Sequence, residues 1–268
     1  MGLADVRKVA VFGAGTMGPG LAQVFATAGY QVALYSRTSA TLNKAMSVIS
    51  ANLATFGERG LVAGDSVPGI IARIAPTRSL EEAGEGADLV VETIVENREA
   101  KKVLFTGLDR ICPERAVFTS DTSYLNIFEI VPERRLPRTV IAHWFAPPHI
   151  VPLVEVVRGP ETSDETVETV VDLIRHVGHV PTTMEKFVSG FCINRLLRGI
   201  GREVLFLLDN GYMTPEELDV AAKASIIPRA MVLASSSGTT SPGSTLHTTT
   251  CRTRLSPELR WTTAREVW

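Results

Sequence analysis

The stretch Val6-Arg7-Lys8-Val9-Ala10-Val11-Phe12-Gly13-Ala14-Gly15-Thr16-Met17-Gly18, residues 6–18, decides the fold. A short apolar, β-branched run reads as a strand, and a helix is expected directly after it, over Gly18–Ala28. Between them Gly13, Ala14, Gly15, Thr16, Met17 and Gly18 spell GxGxxG in the context that gives the pattern meaning: strand, turn, helix. Gly13 allows the tight turn, Gly15 lets the backbone approach a pyrophosphate, and Gly18 permits close helix packing. The helix N-terminus attracts the anion. A dinucleotide is therefore the expected ligand of this turn.

Working outward, the runs YQVALYS, ADLVVETI, RAVFTSD, RTVIAHW, VPLVEVV and HVPTTM read as strands. They alternate with helices expected over Ser39–Arg59, Arg98–Ile111 and Asp164–Val177. Several runs are continuously apolar, as strands covered on both faces are. The pattern predicts an α/β class, a Rossmann-type doubly wound sheet over residues 1–186. After Glu185 the period lengthens. A helix is expected over Phe191–Asn210, and Thr214, Pro215 and Glu217 begin another as N-cap, first helical residue and capping-box partner. Residues 187–233 thus read as a small, incomplete all-helical domain. From residue 234 the composition changes: positions 235–268 hold 6 Ser and 9 Thr. Such a tail buries too little apolar surface to offset its ordering entropy and is expected to be disordered. It is either a natural tail or a replacement for the proper C-terminus.

Composition narrows the function classes. With 268 residues, 45% hydrophobic and 21% charged, the chain can bury a substantial core. A net charge of −2 without a Lys/Arg run gives no reason to expect a nucleic acid or membrane partner. Three scattered cysteines without CxxC spacing argue against a disulfide framework or a zinc site, and no cluster of metal ligands stands out. With no signal peptide or bilayer-length apolar run, the expected location is cytoplasmic.

Two features carry chemistry. TVIAHWFAPPHIVPLVEVV, residues 139–157, places His143 and Glu155 in two strand-like runs that a Pro-rich turn could fold together. A His beside a carboxylate is the minimal kit for moving a proton near neutral pH. At the end of the second strand, where an NAD enzyme usually presents an acidic residue to the ribose 2′-hydroxyl, the chain has Ser36 and Arg37. These suit a 2′-phosphate, so NADP is expected ahead of NAD.

With these residues in view, the chain resembles the 3-hydroxyacyl-CoA dehydrogenase family from about Val6 to Ala230. The ordered signposts are the fingerprint, VETIVEN at 91–97, SDTSYL at 120–125, AHWFAPP at 142–148, PLVEVVRGPETS at 152–163 and SGFCINRLL at 189–197. The resemblance implies His143 as general base, oriented by Glu155. It implies Ser123 on the substrate oxygen, Asn194 near the reacting carbon, and Glu96 and Lys101 on the nicotinamide ribose side. It implies a substrate and dimerisation role for the helical domain, a homodimer, and a place in fatty acid metabolism. The substrate is expected to be a small 3-hydroxy acid or acyl thioester, interconverted with its 3-oxo form.

The chain also departs from the family pattern. Ala146 stands where the common motif has Asn. Residues 39–65 offer few cations, chiefly Lys44 and Arg59, where acyl-CoA members carry a basic helical segment for the CoA phosphates. Relatives acting on free hydroxy acids, such as gulonate and carnitine dehydrogenases, share the layout. Ser36-Arg37 replaces the usual Asp, and the helices that complete the family's second domain give way to the Ser/Thr-rich tail. A second reading is therefore a catalytically impaired dinucleotide-binding paralogue or truncated relative. A dehydrogenase of the Lys-based 3-hydroxyacid type shares the fingerprint, but here His143 holds the catalytic position.

Overall fold

The computed structural model describes residues 2–227; the Ser/Thr-rich segment from 234 onward lies outside them. The first strand, β1 (Lys8–Phe12), leads through the glycine turn into α1 (Gly18–Thr27), followed by β2 (Gln31–Tyr35) and α2 (Ser39–Glu58). Then come α3 (Val67–Ala72), β3 (Ile74–Thr77), α4 (Leu80–Gly84), β4 (Leu89–Glu92) and α5 (Arg98–Ile111). The remaining elements are β5 (Val117–Ser120), β6 (Thr139–Trp144), β7 (Leu153–Arg158), α6 (Asp164–His176), β8 (Val180–Met184), α7 (Ile193–Asp209) and α8 (Pro215–Ala221).

The strands form one eight-stranded sheet in the order β3-β2-β1-β4-β5-β6-β7-β8. From β3 through β6 every pairing is parallel; β7 runs antiparallel to β6, and β8 is parallel to β7. Side chains alternate between two buried layers. Val9 and Val11 join Leu21 and Phe25 of α1, Ile49 and Leu53 of α2, and Leu173 and Ile174 of α6 on one face. Ala10 and Phe12 join Leu104, Phe105 and Leu108 of α5 on the other. This double cover is why β1 and β4 read as unbroken apolar runs, and it gives the doubly wound architecture that the alternation predicts.

The α3–β3–α4 segment has no counterpart among the elements expected from sequence. Its strand is four residues long and contains Pro76, which breaks a strand pattern. The sheet accepts the proline because β3 is an edge strand paired only with β2. Helix starts are locally encoded: the side chains of Thr38, Asn97 and Ser163 each accept the backbone N–H that caps α2, α5 and α6.

The chain divides into two compact units, residues 1–198 and residues from 199 on. In the described part of the second unit, Thr214 and Glu217 close the expected capping box around the start of α8. The Phe206 and Tyr212 rings lie 5.7 Å apart. No α7 residue is buried, and Leu196, Leu197, Leu205 and Phe206 are at least half exposed. Among the described residues no helix is long and apolar enough to cross a membrane.

Candidate active site

The strand order reverses direction between β1 and β4, and in open α/β sheets the crevice beyond the strand ends at such a switch point is where ligands bind. The fingerprint sits there. Gly13 has φ of 123°, and a Cβ on it would lie 2.5 Å from the Thr93 carbonyl oxygen just after β4. A Cβ on Gly18 would lie 1.8 Å from the Gly13 carbonyl oxygen, so α1 can start where it does only without a side chain. Gly15 is exposed, and a Cβ there would meet nothing within 4 Å, which leaves its backbone open to a ligand. The first turn of α1 carries no acidic residue that would oppose an anion. These features fit the pyrophosphate of a dinucleotide.

Gly18→Ala is expected to destabilise the protein by about 1–3 kcal/mol through overpacking. It should also weaken NADH binding by about tenfold or more, the loss of about 1.4 kcal/mol of binding energy. Thermal unfolding and fluorescence titration read the two effects; a variant matching the parent in both would show that the close approach carries no weight.

At the end of β2, Ser36 is half-buried and Arg37 exposed. Arg78, just beyond β3, reaches the Arg37 carbonyl oxygen from Nε at 3.4 Å. Arg78 therefore lies against the Arg37 backbone, near the strand end where the adenosine ribose of a dinucleotide is held in folds of this kind.

The central pair is made by the sheet itself. In the antiparallel β6–β7 ladder His143 stands directly opposite Glu155. Their side chains lie on the same face, and His143 Nδ1 is 2.8 Å from Glu155 Oε2. Both are buried, at 4% and 0% exposure. The other carboxylate oxygen, Oε1, accepts the backbone N–H groups of Cys192 and Ile193, each at 2.9 Å. Burial pushes the Glu155 carboxyl up, but the hydrogen bonds from His143 and the Ile193 and Cys192 amides outweigh it and hold the group below its ordinary value. Ionised Glu155 takes the Nδ1 proton as an acceptor, and Nε2 is left as the basic nitrogen. The imidazole packs against two rings, Phe145 at 4.6 Å and Phe191 at 5.3 Å between centroids. Asp121 accepts the Trp144 N–H at 2.8 Å and so ties the end of β6 to the loop after β5.

That loop carries Ser123. Its organiser is Glu96, whose Oε1 accepts the Thr122 hydroxyl at 2.6 Å and the Ser123 and Tyr124 N–H groups, each at 3.0 Å. Burial raises the Glu96 carboxyl; the Thr122 hydroxyl, the Lys101 ammonium and the two amides outweigh that and lower it. Lys101 is buried at 1% exposure, with Nζ 2.6 Å from Glu92 and 3.4 Å from Glu96. Glu92 is fully buried and also accepts the Ser120 hydroxyl and, at 2.8 Å, the Ile94 N–H. Burial pushes the Glu92 carboxyl up against the pull of Lys101.

The fingerprint, Ser36-Arg37, Glu96, Ser123 and His143 thus all lie at or beyond the C-terminal ends of parallel strands, and Asn194 lies in the first turn of α7. The residues joined to one another by direct contacts are His143 with Glu155, and Lys101 with Glu96 and the Ser123 loop. Glu92 and Phe191 were not singled out in the sequence. A carboxylate closing the apolar run LVVE was a usable signal for Glu92. Among the described residues no group of three or more His, Cys, Asp or Glu side chains is placed to hold a metal ion.

Comparison with known proteins gives a consistent picture. Residues 8–187 match the family model of the 3-hydroxyacyl-CoA dehydrogenase NAD binding domain. The 5-formyl-3-hydroxy-2-methylpyridine 4-carboxylate 5-dehydrogenase of Mesorhizobium japonicum is 34% identical over 222 residues, spanning 82% of this chain and 71% of the relative. The 3-hydroxybutyryl-CoA dehydrogenase of Clostridioides difficile is 34% identical over 217 residues, spanning 81% and 76%. Among solved structures, a 5-formyl-3-hydroxy-2-methylpyridine 4-carboxylic acid 5-dehydrogenase described as an NAD+-dependent dismutase superposes with a TM-score of 0.74 at 33% identity, covering 84% of this chain and 72% of that one.

Proposed function

The chain belongs to the 3-hydroxyacyl-CoA dehydrogenase family, and from that premise we propose that it interconverts a 3-hydroxy acid or 3-hydroxyacyl thioester with its 3-oxo form, using His143 as general base. The observation that carries this reading is the 2.8 Å contact between His143 Nδ1 and Glu155, which directs Nε2 to the proton-transfer task. A nicotinamide dinucleotide, when bound at the fingerprint, would supply the hydride acceptor. As the C3–H bond breaks, the 3-hydroxyl gives its proton to His143 Nε2 and the C3–O bond becomes a carbonyl. Glu155 stabilises the imidazolium that forms, the role of the orienting carboxylate in a hydrolase triad. Ser123 holds the substrate oxygen, and Asn194 binds beside the reacting carbon. In the reverse direction His143 donates the proton.

Within this reading a free hydroxy acid is favoured over an acyl-CoA, because residues 39–65 present only Lys44 and Arg59 as cations, whereas CoA phosphates need charge-assisted partners. Assay of the purified protein against both substrate types tests the proposal. Turnover of neither by a folded, cofactor-binding protein would overturn it. It would favour instead a non-catalytic dinucleotide-binding relative, a reading supported by the exposed apolar side chains of α7.

The pair Arg37 and Arg78, with Ser36 in place of a carboxylate, supports NADP(H) ahead of NAD(H). Fluorescence titration is expected to show NADPH binding more tightly than NADH, with the gap narrowing as salt rises. Tighter NADH binding would reject the assignment and leave the proposed reaction standing.

A further inference from the structure

Phe191 is the one non-glycine residue among those described whose φ is positive, at 45°, and it follows Gly190 at 80°. A left-handed backbone crowds Cβ, so a bulky aromatic there is an outlier that its surroundings must enforce. The surroundings are the catalytic pair. The two left-handed residues turn the chain so that the next two amides, Cys192 and Ile193, converge on Glu155 Oε1. The Phe191 ring, at 0% exposure, packs 5.3 Å from the His143 imidazole and 6.0 Å from Phe187. One residue therefore bears on both members of the pair, through its backbone on Glu155 and through its ring on His143.

We infer that Phe191 is a positioning residue for the proposed reaction: its ring fixes the imidazole plane while its left-handed backbone fixes the carboxylate that holds Nδ1–H. The inference rests on the reading of His143 as the base. It differs from a plain packing role in what it predicts. Glycine at 191 accepts the same φ without crowding and keeps the amides on Glu155. The ring is lost and a cavity opens beside His143, and the imidazole is then free to tilt away from its productive orientation.

The experiment uses full-length protein labelled with ¹⁵N at histidine. The Nδ1–H resonance of His143 is assigned by its absence in His143→Gln. In Phe191→Gly that resonance is expected to broaden or vanish, with kcat down about tenfold or more, KM changed less than about twofold, and NADH affinity unchanged. Phe191→Leu, which restores apolar bulk, should recover part of both. A sharp resonance in Phe191→Gly with kcat near the parent's would overturn the inference. Should the glycine variant fail to fold by circular dichroism, Phe191→Leu decides alone: a broadened resonance supports positioning, and one as sharp as the parent's refutes it. A parent protein without turnover would sink the proposed reaction, yet the resonance would still report whether Phe191 orders the pair.

Discussion

Replacing His143 with glutamine is expected to lower kcat by about a thousandfold, within the span that general acid–base groups contribute and equal to about 4 kcal/mol of barrier. Glutamine is the informative substitution because its amide can still donate to Glu155 Oε2, so the buried carboxylate keeps a partner. What is lost is the imidazole nitrogen that exchanges a proton with the substrate oxygen in the proposed reaction. The fingerprint lies on other elements, in the turn from β1 to α1, whereas His143 lies on β6. NAD(P)H affinity should therefore stay within about twofold of the parent's, a change well under 1 kcal/mol. Steady-state rates and cofactor titration on one preparation provide the check. A kcat within tenfold of the parent would remove His143 as the base, whatever became of KM.

Lys101→Met has its main effect on stability. Removing the ammonium leaves the fully buried Glu92 carboxylate without its counter-charge and takes the nearby cation from Glu96. Breaking a buried pair from one side typically costs about 3–5 kcal/mol. For a protein of this size that corresponds to a fall in Tm of roughly 10 °C. The cause is testable in the same measurement. Adding Glu92→Gln removes the stranded charge while keeping groups that can pair with the Ser120 hydroxyl and the Ile94 amide, and the double variant should regain most of the lost stability. Failure of the rescue would mean that the lysine stem, not its charge, is what the core needs. A Tm within about two degrees of the parent's for Lys101→Met alone would mean that the pair contributes less than about 1 kcal/mol.

The parts of this architecture that could be read in sequence are those with a local cause. The strand–turn–helix around Gly13, Gly15 and Gly18 is encoded within a dozen residues, and the caps at Thr38, Asn97, Ser163 and Thr214 within four. His143 and Glu155 were legible because both interrupt apolar runs and a short turn allows their strands to pair. The α3–β3–α4 segment was not, because edge-strand tolerance of Pro76 depends on where β3 lies in the sheet. The Glu92–Lys101 pair joins a strand end to a helix across an intervening turn, a contact without periodic signature. Glu96 has a part in the structure that the resemblance did not mark. Family likeness points it toward the cofactor ribose, whereas here its Oε1 also gathers three donors from the Ser123 loop. The left-handed backbone at Phe191 has no mark in the sequence beyond the glycine before it.

The cross-strand placement of His143 and Glu155 has an evolutionary consequence. Their spacing is set by the metric of the sheet, which drifts little as long as β6 and β7 stay paired. Ser123 sits on a loop and Asn194 at a helix start, positions that tolerate insertion and replacement far better than a paired ladder does. In the proposed reaction, proton chemistry and choice of substrate thus rest on separate structural supports. A lineage can remodel what the cleft holds, residue by residue, while the machinery that moves the proton passes unaltered from one specificity to the next.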